Sequence, residues 1–187
     1  VAEHGRLDVL VNNAGIIKDA LLLKVKDGAV VSKMTLAQWQ AVIDVNLTGV
    51  FLCGREAATK MIEQGNPGVI INISSISRAG NAGQSNYSAA KAGVAAMATT
   101  GAKELARFGI RVNALVPGAI AAGGFVADPS LARHIPLGRL GQAIDLAPMA
   151  LAILSNRISG YVTGAAFVVD GGISLTNWFD PPALDEL

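Results

Sequence analysis

The chain has 187 residues, of which 51% are apolar and only 16% charged, with 21 glycines and a net charge of +1. That balance excludes a disordered chain, which needs low hydrophobicity and high net charge. It gives no electrostatic footprint for a nucleic acid or an anionic membrane surface. No apolar run reaches the roughly 18 residues of a membrane span; Lys24 interrupts Ala20 to Leu23. The lone Cys53 has no partner for an internal disulfide, so a reducing, cytoplasmic compartment is expected. The apolar excess implies a surface covered by further chain or by neighbouring subunits.

In chain order, the first predicted strand is Leu7–Val11, rich in Val and Leu with little alternation. Lys26–Lys33 reads as a short insertion, a hairpin with Asp27-Gly28 at its turn. Thr35-Leu-Ala-Gln38 is a capping-box signature opening a helix that runs to Gln64, interrupted near Asn46 and stopped at Gly65. Strand Val69–Ile73 follows, then a helix from Ser85–Asn86 to Gly109, strand Ile110–Val116, a helix over Ile144–Leu154, and strand Ala165–Val169. Near-continuous apolar strands alternating with helices predict an α/β fold, a parallel sheet covered on both faces. In such a sheet the ligand lies beyond the carboxyl ends of the strands. Those ends carry Asn12-Asn13-Ala14-Gly15, Ser74-Ser75, Pro117-Gly118 and Asp170-Gly171-Gly172.

Tyr87-Ser-Ala-Ala-Lys91 places a phenol and an ammonium at i and i+4 on one helix face. A neighbouring cation favours phenolate and is expected to lower the Tyr87 pKa towards the range of a general acid or base. Alone, the pair is a weak signal. Its company strengthens it: two serines at a strand end just upstream, and Asn46 on the preceding helix. No metal spacing involves His4 or His134, Cys53 reads as a small buried hydrophobe, and no serine-hydrolase elbow is present.

The motifs Asn12-Asn13-Ala14-Gly15, Asp44-Val-Asn46-Leu-Thr-Gly49, Asn72-Ile-Ser-Ser75, Tyr87-x-x-x-Lys91, Pro117-Gly118 and Val169-Asp-Gly-Gly172 occur in the order of the short-chain dehydrogenase/reductases, which the chain resembles from Leu7 to about Ser174. Residues 80–91 and 135–141 are most similar to bacterial 3-oxoacyl-[acyl-carrier-protein] reductases. The resemblance implies a Rossmann-like, doubly wound parallel sheet in a three-layer αβα domain, and hydride transfer between NADP or NAD and a carbonyl or secondary alcohol. NADP is favoured by the likeness to reductases. The substrate would be a 3-oxoacyl thioester, with acyl carrier protein as a partner. Tyr87 would donate the proton, Lys91 would lower its pKa and hold the nicotinamide ribose, a serine would orient the carbonyl, and Asn46 would anchor the water of a proton relay. Asn13, Ala14 and Gly15 would pass the adenosine side of the cofactor, with Pro117 and Gly118 at the nicotinamide.

Counting back from Tyr87 selects Ser74 as the catalytic serine, whereas aligning the strand selects Ser75. We take Ser75, because a strand fixes side-chain direction more tightly than a loop does. Pro117-Gly118-Ala-Ile-Ala-Ala122 lacks the family's usual hydroxyl residue, and the lobe up to His134 is short. No glycine-rich phosphate loop occurs among the 187 residues. On the motif order, residues 1–187 form a single domain that opens at the fourth strand of a seven-stranded sheet (strands 4 to 7). The glycine-rich βαβαβ half would then lie outside it, roughly 60 to 80 residues at about 30 per overlapping βαβ unit. The chain alone is then expected to be inactive or nearly so, and Leu7–Val11 to be an uncovered edge strand. A small-residue face at Ala89, Gly93, Ala96 and Thr100 allows close helix approach; in the family that the chain resembles this helix meets its symmetry mate, and the resemblance thereby implies a homodimer or homotetramer. Two alternatives stand: a steroid, sugar or polyol dehydrogenase of the same family, and a non-catalytic oligomerisation module.

Overall fold

A computed structural model describes residue 3, residues 5–122 and residues 129–175. His4 and positions 123–128 of the expected short lobe lie outside the described residues. The elements in chain order are β1 (Val9–Asn12), β2 (Leu23–Lys26), β3 (Ala29–Lys33), α1 (Leu36–Ile43), a π-helical turn (Asp44–Thr48), α2 (Gly49–Glu63) and β4 (Gly68–Ile73). Then come α3 (Ser85–Leu105), β5 (Ile110–Pro117), β6 (Ile120–Ala121), β7 (Gly141–Gln142), α4 (Ala143–Leu154), α5 (Asn156–Ser159) and β8 (Ala166–Val169).

The four apolar runs form one parallel sheet in the order β1-β4-β5-β8. Its register aligns Asn12 with Asn72 and Asn72 with Ala114, so the carboxyl ends finish side by side. Each face has its own core. Ala58 and Met61 of α2 and Ala98 and Ala102 of α3 pack with Ile70, Ile110, Val112 and Ala114. On the other face Ile153, Leu146, Met149 and Ala150 of α4 pack with Val69, Ile71, Leu115 and Phe167. Successive strand residues thus feed opposite cores, which is why β4 and β5 read as continuous apolar runs. Each fully buried Ile or Leu contributes about 1.5–3 kcal/mol. β1 lies at the sheet edge, and its Val9 and Val11 are 38% and 43% exposed. The expected uncovered apolar edge is therefore present.

The helix boundaries follow the local signals. The Thr35 hydroxyl accepts the Gln38 N–H at 3.1 Å, and the Thr35 N–H donates to Gln38 Oε1 at 2.9 Å, closing the capping box. The interruption near Asn46 is a single π-helical turn that joins α1 to α2 without a loop. Gly109, with φ +71°, ends the helical stretch after α3, a left-handed position that costs a residue with a Cβ. The expected insertion is the hairpin β2–β3, with positive φ at both Asp27 and Gly28 as a type I′ turn requires. Sequence reading missed the short parallel pair of β6 with β7. It is secured by Arg139, which donates to both carboxylate oxygens of Asp145 at 2.7 and 2.8 Å. Cys53 corrects an expectation: it is exposed. The buried residues of α2 are Val50, Ala57, Ala58 and Met61, so the face turned to the sheet leaves Cys53 on the flank.

Candidate active site

β4 delivers two serines to the carboxyl end of the sheet, and they do different work. Ser74 still belongs to the ladder, its N–H donating to Leu115 O at 2.8 Å. Its buried hydroxyl donates to the backbone carbonyl of Lys91 at 2.7 Å, tying the strand end to α3. Ser75 turns out of the ladder in extended backbone and caps the short 3₁₀ turn Ile76–Ala79, accepting the Ser77 N–H at 3.1 Å. Its side chain is also close enough to Tyr87 to lower the pKa of the phenol. The structure therefore puts Ser75 beside the phenol and Ser74 behind it.

Tyr87 and Lys91 are one turn apart on α3, with Lys91 Nζ 5.6 Å from the Tyr87 ring centroid. Lys91 is only 4% exposed, and its ammonium donates to Ile73 O at 2.7 Å. Desolvation pulls its pKa down to about 8. Tyr87 departs from the sequence expectation. Its pKa is raised, because burial disfavours the phenolate and the Asp19 carboxylate adds repulsion, while Ser75 acts the other way. Lys91 does not lower it, because the ammonium is directed at the Ile73 carbonyl rather than at the phenol oxygen.

Asn46 sits in the π-helical turn, fully buried. Its amide clamps the loop after β1 at both ends: Nδ2 donates to Ile16 O at 2.9 Å, and Oδ1 accepts the Ile16 N–H at 2.8 Å. The same oxygen would stand 3.3 Å from any Cβ at Gly15, so Asn46 also holds Gly15 close. Asn13, Ala14 and Gly15 thereby stand exposed just beyond the carboxyl end of β1. Asn12 turns inward and donates to Asn72 Oδ1 at 2.9 Å. Pro117 closes β5. At Gly118 a Cβ would come 2.6 Å from Asp170 Cβ, so the close packing of β5 on the loop after β8 by itself requires glycine there.

Two more side chains frame Tyr87 without having been singled out in the sequence. Asn86, fully buried, donates from Nδ2 to Lys18 O and Gln38 O, both at 3.0 Å, and its Oδ1 accepts the Tyr87 N–H at 2.8 Å. Gln84 donates to Asp19 Oδ2 at 2.8 Å. Their place immediately before the tyrosine was a signal, but partners 48 to 68 residues away were not legible. Among the described residues no cluster of His, Cys, Asp or Glu could hold a metal ion, and no helix is long and apolar enough to cross a membrane.

Residues 1–174 match the family described as enoyl-(acyl carrier protein) reductase, one of the short-chain dehydrogenase type. The chain belongs to the short-chain dehydrogenase/reductase family. It is 48% identical over 175 residues to the 3-oxoacyl-[acyl-carrier-protein] reductase of Synechocystis sp., covering 91% of this chain and 66% of the relative. It is 46% identical over 179 residues to the 3-oxoacyl-[acyl-carrier-protein] reductase FabG of Thermotoga maritima, covering 92% and 68%. The structure superposes on acetoin dehydrogenase YohF of Salmonella typhimurium with a TM-score of 0.81 and 34% identity, covering 95% of this chain and 68% of that one. The chain thus spans about two thirds of the length of the relatives it matches.

Proposed function

We propose that the chain carries the catalytic half of an oxidoreductase that transfers a hydride between a nicotinamide cofactor and a carbonyl or secondary alcohol, with 3-oxoacyl thioesters as the substrate class. The observation that carries this reading is the convergence of Ser75, Tyr87 and Lys91 at the strand ends, a serine near enough to the phenol to lower its pKa and an ammonium one turn away. The buried Lys91 has three N–H donors, and the bond to Ile73 O uses one of them. That donor set fits the hydroxyls of a nicotinamide ribose. Asn13, Ala14, Gly15, Pro117 and Gly118 would flank the same cofactor at the crevice. NADP is our reading from the reductases among the relatives. The cofactor supplies the hydride.

The remaining steps belong to the chain. The Ser75 hydroxyl orients the substrate oxygen. Tyr87, whose raised pKa keeps the phenol protonated at neutral pH, delivers its proton to that oxygen as negative charge develops there. Lys91, still largely an ammonium at pH 7 with a pKa near 8, would hold the ribose hydroxyls of the cofactor beside the phenol. Asn46 fixes the wall formed by Gly15 and Ile16, with its backbone in the π-helical turn available to the proton relay. We also propose a cytoplasmic setting, acyl carrier protein as the donor of substrate, and a second copy of the chain against the outer faces of α2 and α3. There Phe51 and Leu52 are exposed, and Phe51, Arg55, Met97, Thr100 and Glu104 help to line a groove of about 400 Å³. Residues 1–187 are on this reading one domain.

The test is oxidation of reduced nicotinamide cofactor with an acetoacetyl thioester, a small ketone and a sugar as acceptors, measured on the natural product that carries these residues. The thioester is expected to be preferred, and the 187 residues alone to give little or no turnover. A preference for the sugar or the ketone would replace the substrate class. Cofactor-dependent turnover undiminished in Tyr87→Phe would overturn the mechanism.

A further inference from the structure

The amide before the tyrosine is built differently from an ordinary buried polar group. Asn86 is fully buried, and its two polar atoms reach three segments: Nδ2 serves Lys18 in the loop leading to the β2–β3 hairpin and Gln38 in α1, and Oδ1 serves the backbone of Tyr87 itself. The same loop is stitched to the start of α3 by Ala20 N–H donating to Gly83 O at 2.9 Å, by the Ala20–Gln84 bridge, and by Gln84 on Asp19. Asp19 is in turn the carboxylate whose field reaches Tyr87. Asn86 is therefore where the wall of the site, the helix beneath it and the reacting phenol meet.

We propose that Asn86 is a positioning residue for Tyr87, holding the 18–20 loop against the start of α3 so that the phenol keeps its half-buried place beside Ser75 and Lys91. This goes beyond the roles assigned above and rests on Tyr87 as the reacting group, yet its geometry can be read without turnover. A donor is needed at Nδ2, because it faces two carbonyls, and an acceptor at Oδ1, because it faces an N–H. Aspartate has the shape but no donor and would set a carboxylate against two carbonyl oxygens. Serine keeps one donor and one acceptor.

The groups that face Tyr87 are Ser75, Lys91 and Asp19. Loosening the loop admits water to the ring and carries Asp19 away, and both changes lower the Tyr87 pKa towards the ordinary value of 10.0. The experiment is carbon-13 NMR of Cζ-labelled tyrosine through an alkaline titration. Only two tyrosines contribute, and Tyr161→Phe assigns the Tyr87 signal. In the unsubstituted chain the Tyr87 midpoint is expected above the ordinary value of 10.0. In Asn86→Ala and Asn86→Asp it should fall towards that value, with Asn86→Ser between. Asn113→Ala is the control: that fully buried amide ties Val162 O and the Ala165 N–H at the other end of the sheet and should lower stability without moving the midpoint. An unmoved midpoint in folded Asn86 variants, or an equal shift in Asn113→Ala, overturns the proposal. So does failure of even Asn86→Ser to fold, since Asn86 would then be a structural amide of the Asn113 kind. Failure of Tyr87→Phe to lose turnover would instead strike at the proposed reaction and leave the titration result standing.

Discussion

The two ends of the central sheet each carry a buried cation, and they are finished in opposite ways. At the amino end Arg111 spends every guanidinium nitrogen: Nε on Asn156 Oδ1 at 3.2 Å, Nη2 on Ile153 O at 2.8 Å and on Asn156 Oδ1 at 3.0 Å, and Nη1 on Val162 O at 3.1 Å and Ser159 Oγ at 3.4 Å. Asn113 is likewise fully used beside it. At the carboxyl end the Lys91 ammonium donates to Ile73 O, and Ser75 and Tyr87 are only half buried. A closed knot can only hold elements together. An open one, whose donors outnumber the bonds drawn on them, has capacity left for a ligand, which is why the site is placed at the second.

That contrast breaks most severely at the phenol. Tyr87→Phe removes the proton donor and leaves the packing, so turnover of a thioester substrate should drop by about 10²–10⁴-fold, with the unfolding midpoint in denaturant unchanged. Arg111→Met should do the reverse. It removes the five hydrogen bonds that tie Ile153, Asn156, Ser159 and Val162 to β5, so urea unfolding should show a loss of about 3 kcal/mol, while Tyr87 remains in place.

Lys91 separates the knots by pH. Its folded pKa near 8 lies below the unfolded value of 10.5, so between those values the unfolded chain binds the extra proton. Stability therefore rises with pH across that window. Each pKa unit is worth about 1.4 kcal/mol, so the full swing approaches about 3 kcal/mol. Unfolding curves of the unsubstituted chain compared with Lys91→Met from pH 8 to 10.5 should converge or cross in that direction. Parallel curves would mean that Lys91 is not desolvated as described.

Much of the closed architecture was legible in the sequence because it is local. The capping box at Thr35, the hairpin turn at Asp27-Gly28, the stop at Gly109 and the four apolar strands all follow from residues within a few positions of each other. The i, i+4 spacing of Tyr87 and Lys91 was equally local. What escaped was whatever depends on a partner far along the chain. The break at Asn46 was visible, but its grip on Ile16, 30 residues away, was not. The sign of the Tyr87 pKa shift was misjudged because the helix spacing reveals the cation and conceals the burial. The roles of Asn86 and Arg111 rest on backbone carbonyls that no side-chain pattern announces.

The pair of serines tests the assignment of the open end most directly. Ser74 and Ser75 are neighbours of identical chemistry, one bonded to the Lys91 backbone and the other near enough to the Tyr87 phenol to lower its pKa. Turnover and urea unfolding of Ser75→Ala and Ser74→Ala should be measured side by side on the natural product. The account predicts that Ser75→Ala loses turnover with its stability intact, and that Ser74→Ala keeps turnover while losing about 1 kcal/mol of stability. The opposite pattern, turnover lost with Ser74 and kept without Ser75, would contradict it.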